Sequence, residues 1–143
     1  MTLLLLLRTP AYEQVLLEMA RSAIARGNDG DYEVTVVTAQ MAAEISSEQS
    51  IGTYLARKNV PELEEPLAGL FPSYSLANDR VLKLYNALRG DRLQDQPFWP
   101  AYKEHAARRN RVVHRGERAD KAAAEASLAA VEHLLAYLRS AHY

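Results

Sequence analysis

Residues 98–116 read FWPAYKEHAARRNRVVHRG, and this stretch contains the clearest helix signals of the chain. Proline is favoured in the first turn of a helix, as at Pro100, and glycine directly after the last turn, as at Gly116. Between them, Trp99, Tyr102 and Ala106 recur at helical spacing and form an apolar stripe. The stretch therefore predicts a helix of about five turns that packs one face against the rest of the protein.

Helices are also predicted near both ends of the chain. Asp120 can cap a last helix that runs to about Ser140, with alanines and leucines at helical spacing. Thr9 and Pro10 mark the start of a first helix, and Gly27 marks its end. The predicted apolar stripe of this first helix consists of Tyr12, Val15, Leu16, Met19 and Ile24.

A long second helix is predicted from Asp31, as its capping residue, to about Lys58. Its opening, Val34–Thr38, is β-branched and would suit a strand locally. Apolar residues nevertheless continue at helical spacing over three turns, which favours a helix. These residues are Val34, Val37, Met41 and Ile45, with Ala42 and Ala43 beside them. Glu44 falls among them, and a buried carboxylate there would need a partner such as an arginine.

The remaining segments complete an all-α prediction. Residues 59–76 are too apolar for a flexible linker and are expected to form an ordered connection with one helical turn. A short helix is predicted from about Ala77 to Leu88, followed by a polar loop from Asp91 to Gln96. No repeat or domain boundary is evident, so residues 1–143 are predicted to form a single antiparallel bundle of four or five helices.

Composition narrows the classes of protein. A chain of 143 residues is the size of one domain, and the absence of cysteine excludes disulfides, thiolate metal sites and a cysteine nucleophile. The run Leu3–Leu7 is too short for a signal peptide or a membrane-spanning helix and is interpreted as a core-facing stretch. We therefore expect a cytoplasmic protein with no membrane association.

Charge is unevenly distributed although the net charge is only −1. Residues 101–121 carry seven basic and three acidic side chains, so a local basic patch surrounds the predicted helix end. A solvated helix face is one explanation of such a cluster, and a surface for a polyanion is the other.

Arg109 lies where the apolar stripe of this helix would call for a leucine. Arg108 and Arg111 are predicted to point to solvent, and Asn110 lies one turn before His114. In a regular helix Arg109 and His114 are about 140° apart. They converge only if the helix ends near His114 or if two subunits pair these faces. Alternatively, Arg109 is a snorkelling or ion-paired residue and His114 interacts with the helix dipole.

The run Arg109-Asn110-Arg111-Val112-Val113-His114 resembles the R-N-x-x-x-H motif of the HEPN superfamily (higher eukaryotes and prokaryotes nucleotide-binding). The aromatic start Phe98-Trp99, Gly116 and the capped, alanine-rich last helix also resemble that family. So does Ala42-Ala43-Glu44 on the second helix. The resemblance covers most of the chain, with its specific features concentrated in residues 98–135.

The resemblance implies an all-α, usually dimeric HEPN-like domain that is in many members a metal-independent endoribonuclease without a cofactor. Arg109, Asn110 and His114 take the catalytic positions. Arg111, Arg115 and Arg118 would then contact the RNA backbone, consistent with their charge. The expected setting is a toxin or phage-defence effector with an antitoxin or other regulatory protein as partner. Toxins of this family often have a tyrosine two residues after the histidine, where this chain has Gly116, so regulation through that tyrosine is in doubt.

Three other functions are alternatives to an endoribonuclease. The first is a non-catalytic HEPN module that binds RNA or a partner protein, or mediates dimerisation, through the same face. A helical bundle built around a metal is disfavoured, because His105, His114, His133 and His142 lack the spacing of metal-binding helices. A helix-turn-helix DNA reader is disfavoured because no short helix pair presents a compact recognition surface.

Overall fold

The computed structural model describes residues 11–140. They form six α-helices: α1 (Tyr12–Arg26), α2 (Asp31–Arg57), α3 (Glu64–Leu70), α4 (Asp79–Arg89), α5 (Trp99–Arg115) and α6 (Lys121–Ser140). Two 3-10 turns, Pro61–Leu63 and Leu93–Asp95, lie in the connections. The described residues contain no strand, which confirms the all-α class with more helices than the four or five predicted. The predictions for Leu3–Leu7, Thr9, Pro10 and His142 fall outside the described residues.

The long helix α2 is the centre of the bundle, because α1, α4, α5 and α6 all pack against it. Gly27 and Gly30 adopt positive φ angles and return the chain antiparallel to α1. Small residues then let α1 and α2 approach closely, and the Thr35 hydroxyl donates a buried hydrogen bond of 3.0 Å to the carbonyl of Ala20. Ala39 in α2 is also fully buried.

The β-branched opening of α2 is helical, as predicted, but a different face is buried. Val34 and Met41 are 47% and 43% exposed, whereas Thr35 and Val36 are fully buried. The predicted stripe was wrong at those two positions, because α1 and α6 pack on the neighbouring face of the helix. Asp31 is the first helical residue, not the cap, and its carboxylate accepts from the backbone N–H of Asn28 at 3.0 Å.

The stripe predicted for α1 was likewise mostly wrong. Tyr12, Val15 and Met19 are exposed. The buried face consists of Leu16, Leu17, Ala20 and Ala23. Alanines do not stand out in a search for apolar periodicity, yet they make the closest helix contacts here because they are small.

The predicted ends of α5 and α6 are confirmed. Pro100 lies in the first turn of α5, and Gly116 ends the helix with a φ angle of 66°. The Asp120 carboxylate accepts from the N–H of Ala123 at 2.8 Å and caps α6. None of the helices within residues 11–140 is both long and apolar enough to cross a membrane.

Candidate active site on the fifth helix

Arg109 lines a cavity of about 230 Å³ between α2, α5 and the connection that leads into α4. The polar lining comes from three separate parts of the chain. It consists of Gln40 and Glu44 on α2, Ser73, Ser75 and Asn78 in the connection, and Asn110 on α5. A guanidinium group therefore borders a polar cavity at the position where the helical stripe predicted an apolar side chain.

The Arg109 side chain has no anionic partner among the residues that the structure describes. Its Nη1 donates to the Asn110 Oδ1 atom at 3.2 Å, and its Nε is buried without a hydrogen-bond partner. No carboxylate oxygen of the described residues lies within 4.0 Å of an Arg109 side-chain nitrogen, although Glu44 lines the same cavity. Arg109 is therefore not locked to Glu44, and its charge is available to an anionic ligand.

His114 opens into a different space from Arg109. It is exposed in the last turn of α5 and lines an open cavity of about 500 Å³ with Arg111 and Arg115. Helix α5 stays regular as far as Arg115, so it does not bring the imidazole round to Arg109. Asn110 lines both cavities. The expected separation of Arg109 and His114 within one chain is thus observed.

A buried hydrogen-bond network that the sequence did not predict lies below the Arg109 cavity. Gln40 is at its centre, with its Oε1 atom 3.0 Å from His105 Nε2 and 3.4 Å from the Tyr102 hydroxyl. Its Nε2 atom donates to Glu44 Oε1 at 3.3 Å and to Ser75 Oγ at 3.2 Å. Both ends of the amide are therefore engaged, which fixes its orientation.

The protonation of this network follows from its burial. Desolvation, together with the positive charges of Arg108 and Arg109, lowers the pKa of His105 to about 4, so its imidazole is neutral at pH 7. Burial raises the pKa of Tyr102 to about 12. The His105 Nε2–H and the Tyr102 hydroxyl therefore donate to Gln40 Oε1. The sequence carried one sign of this network, a histidine one turn before Arg109 on the same face.

The other arginines of this segment are mostly engaged. Arg108 was predicted to point to solvent, but its side chain is only 15% exposed and donates to Ser127 Oγ at 2.8 Å. That prediction was wrong because α6 packs against this side of α5. Arg111 forms ion pairs with Glu104 at 3.1 Å and with Glu117, just beyond the end of the helix, at 2.8 Å.

Arg118 forms ion pairs with other residues of the described chain, whereas Arg115 does not. Arg118 pairs with Glu33 at 2.5 Å and with Asp29, which raises the pKa of its guanidinium and ties the α5–α6 connection to α2. Arg115 is exposed, and no ion pair joins it to another described residue. RNA-backbone contacts by Arg111, Arg115 and Arg118 stay predictions, but only Arg115 has no competing internal partner.

Residues 11–140 contain no group of three or more histidine, aspartate or glutamate side chains that could hold a metal ion. Comparison with protein families, with curated proteins and with solved structures finds no match for this chain. The functional assignment therefore depends on the geometry of the side chains and on the motif that they carry.

Proposed function

We propose that this chain is a metal-independent endoribonuclease of the HEPN type that acts as a homodimer. The observation that carries the proposal is the guanidinium of Arg109, which borders a polar cavity and has no ion pair within residues 11–140, in a motif where Asn110 and His114 follow. An arginine kept only for structure would be expected to have a carboxylate or carbonyl partner for its buried Nε atom.

The chemistry suits these three residues because RNA supplies its own nucleophile. The 2′-hydroxyl attacks the adjacent phosphorus, and the bond to the 5′-oxygen breaks, giving a 2′,3′-cyclic phosphate and a 5′-hydroxyl. His114 transfers a proton as general base or acid. Arg109 holds the scissile phosphate and stabilises the extra negative charge of the transition state. Asn110 orients the phosphate or the imidazole.

Dimerisation follows from the separation of the two groups. Since Arg109 and His114 border different cavities of one chain, a second copy is needed to bring an imidazole opposite the guanidinium. A twofold dimer that pairs the α5 faces creates two equivalent sites of this kind. The resemblance adds a cytoplasmic toxin or phage-defence effector, controlled by an antitoxin or another regulatory protein, as the biological setting.

The test is cleavage of an end-labelled single-stranded RNA in EDTA by the purified protein. We expect products with cyclic phosphate ends, and we expect His114→Ala to lower the rate at least about 100-fold because the proton transfer is lost. His133→Ala is the matched control, since His133 lies on α6 away from both cavities and should leave the rate unchanged. Intact RNA, or equal cleavage by His114→Ala, would contradict the proposal.

A second candidate is a non-catalytic HEPN module that binds RNA or a partner protein through the same face. The separation of Arg109 from His114 within one chain favours it if no dimer forms. It predicts salt-sensitive RNA binding without turnover, weakened by Arg109→Ala. Analytical ultracentrifugation beside the cleavage assay separates the two candidates.

A further inference from the structure

We propose that the Arg109 cavity binds a guanine base of the RNA strand, next to the scissile phosphate, and that Glu44 recognises it. This inference rests on the proposed ribonuclease function and adds a base specificity to it. The cavity of about 230 Å³ is smaller than the roughly 300–1,000 Å³ of pockets that enclose a whole small ligand. It suits one base whose phosphate stays at the Arg109 side of the opening.

The Glu44 carboxylate is held in position by a hydrogen bond and still has free acceptor capacity. Its Oε1 accepts one hydrogen bond from Gln40 Nε2, and no ion pair joins Glu44 to a cation within the described residues. Each carboxylate oxygen can accept two hydrogen bonds, so at least three acceptor positions stay available. Because Gln40 is fixed in turn by His105 and Tyr102, the carboxylate is positioned from the core.

The choice of guanine follows from the edges of the four bases. An ionised carboxylate only accepts hydrogen bonds, and guanine alone presents two adjacent donors, N1–H and the N2 amino group. On that edge adenine presents one donor and one acceptor, cytosine one donor and two acceptors, and uracil a single donor between two acceptors. A carboxylate facing the edge of an unstacked base therefore favours guanine, in the way that single-stranded RNA is usually read.

Two further polar groups of the cavity lining can complete the recognition. The Ser73 hydroxyl and the Asn110 amide both line the cavity and can donate to the guanine O6 acceptor. Asn110 also borders the His114 cavity, so it marks the boundary of the two cavities. Arg109 lies beside Asn110 at that boundary.

The experiment uses oligouridine substrates that contain a single G, A or C, cleaved by the full chain. We expect the wild type to cut next to guanine at least about tenfold faster than next to the other bases, because one two-donor contact discriminates bases by that order. Glu44→Gln should remove the preference and raise the relative rate at adenine, since an amide pairs one donor with one acceptor. Glu48→Gln, one turn further along α2 and exposed, is the matched control and should keep the guanine preference.

The outcomes separate the base pocket from the ribonuclease function. Cleavage without base preference, or the same preference in Glu44→Gln, would overturn the guanine proposal and leave the ribonuclease proposal intact. If no oligonucleotide is cleaved, the ribonuclease proposal fails, and binding of the same uncleaved oligonucleotides decides the pocket. Guanine-selective binding that is lost in Glu44→Gln then supports it. Binding of free GMP without selectivity for guanine in RNA overturns it and assigns the cavity to a mononucleotide.

Discussion

The two halves of α5 carry one histidine each, and the two residues differ in almost every physical respect. His105 is fully buried, bonded to Gln40 and neutral, with a pKa lowered to about 4. His114, nine residues later, is exposed beside an open cavity. The first half of the helix is therefore part of the core, whereas the end of the second half is exposed.

Residue type and sequence neighbours therefore do not determine whether a histidine on this helix is buried or exposed. Both residues are close to arginines in sequence, and both lie on α5. What separates them is the depth of burial, which lowers the pKa of His105 and removes it from proton transfer near neutral pH, whereas His114 is exposed.

The largest effect is expected in RNA cleavage when two inactive variants are mixed. If the exposed half of α5 is completed by a second copy, Arg109→Ala and His114→Ala dimers each have no intact site. Random exchange of subunits gives heterodimers with one intact site, and about a quarter of the wild-type rate should return. The measurement is RNA cleavage in EDTA after the two variants are mixed and allowed to exchange.

A double variant carrying both substitutions, mixed with either single variant, is the control and should stay inactive. Failure of the two single variants to restore any cleavage, in a preparation in which subunit exchange is demonstrated, would place both residues of a site in one chain.

A smaller but well-defined effect is expected from the buried half. The folded pKa of His105 lies below its usual value, so the unfolded chain binds the proton more readily and stability falls as pH decreases. This contribution is complete above about pH 6.5 and should have fallen by about 3 kcal/mol at pH 4. Urea unfolding from pH 7.5 to pH 4 measures it as the difference between wild type and His105→Gln.

His114→Gln is the matched control for this measurement. Its unfolding free energy should follow the same pH dependence as that of the wild type, because the substitution is at an exposed position and leaves the buried hydrogen bond between His105 and Gln40 unchanged. If His105→Gln and the wild type lost stability in parallel, the assignment of a neutral, buried His105 would be wrong.

The smallest effect concerns the arginines beyond His114. Arg115→Ala should weaken RNA binding several-fold and lower the slope of log affinity against log salt by roughly one, because one phosphate contact is lost. Arg118→Ala should change RNA affinity less, since Asp29 and Glu33 already neutralise that guanidinium. Fluorescence anisotropy with a labelled, uncleavable RNA at several salt concentrations compares the two. Equal losses would show that the ion pairs of Arg118 open on binding.

Much of the fold could be predicted because the ends of helices are encoded locally. Pro100, Gly116 and Asp120 mark their boundaries through backbone geometry and hydrogen bonding, which need no knowledge of the rest of the chain. The helical conformation of Val34–Thr38 also followed from spacing that continued beyond it. The same spacing separated Arg109 from His114 correctly.

The faces of the helices were harder to predict, because a stripe on one helix does not tell where a second helix packs. Arg108 was placed in solvent by helical periodicity, but α6 covers that side and supplies Ser127. The sequence did not predict a buried role for Gln40, because an isolated glutamine on a helix usually lies on the surface. Its role depends on Ser75 and His105, which are 35 and 65 residues away in the chain.

The fixed amide of Gln40 has a consequence for spectroscopy. Hydrogen bonds run in one direction from the His105 N–H through this amide to the Glu44 carboxylate, so a change in charge at Glu44 polarises the whole chain of bonds. The imidazole of His105 is fully buried, so a ligand in the cavity does not touch it. We expect its nitrogen chemical shifts to change when a ligand binds beside Glu44, so that His105 can report binding in an NMR experiment.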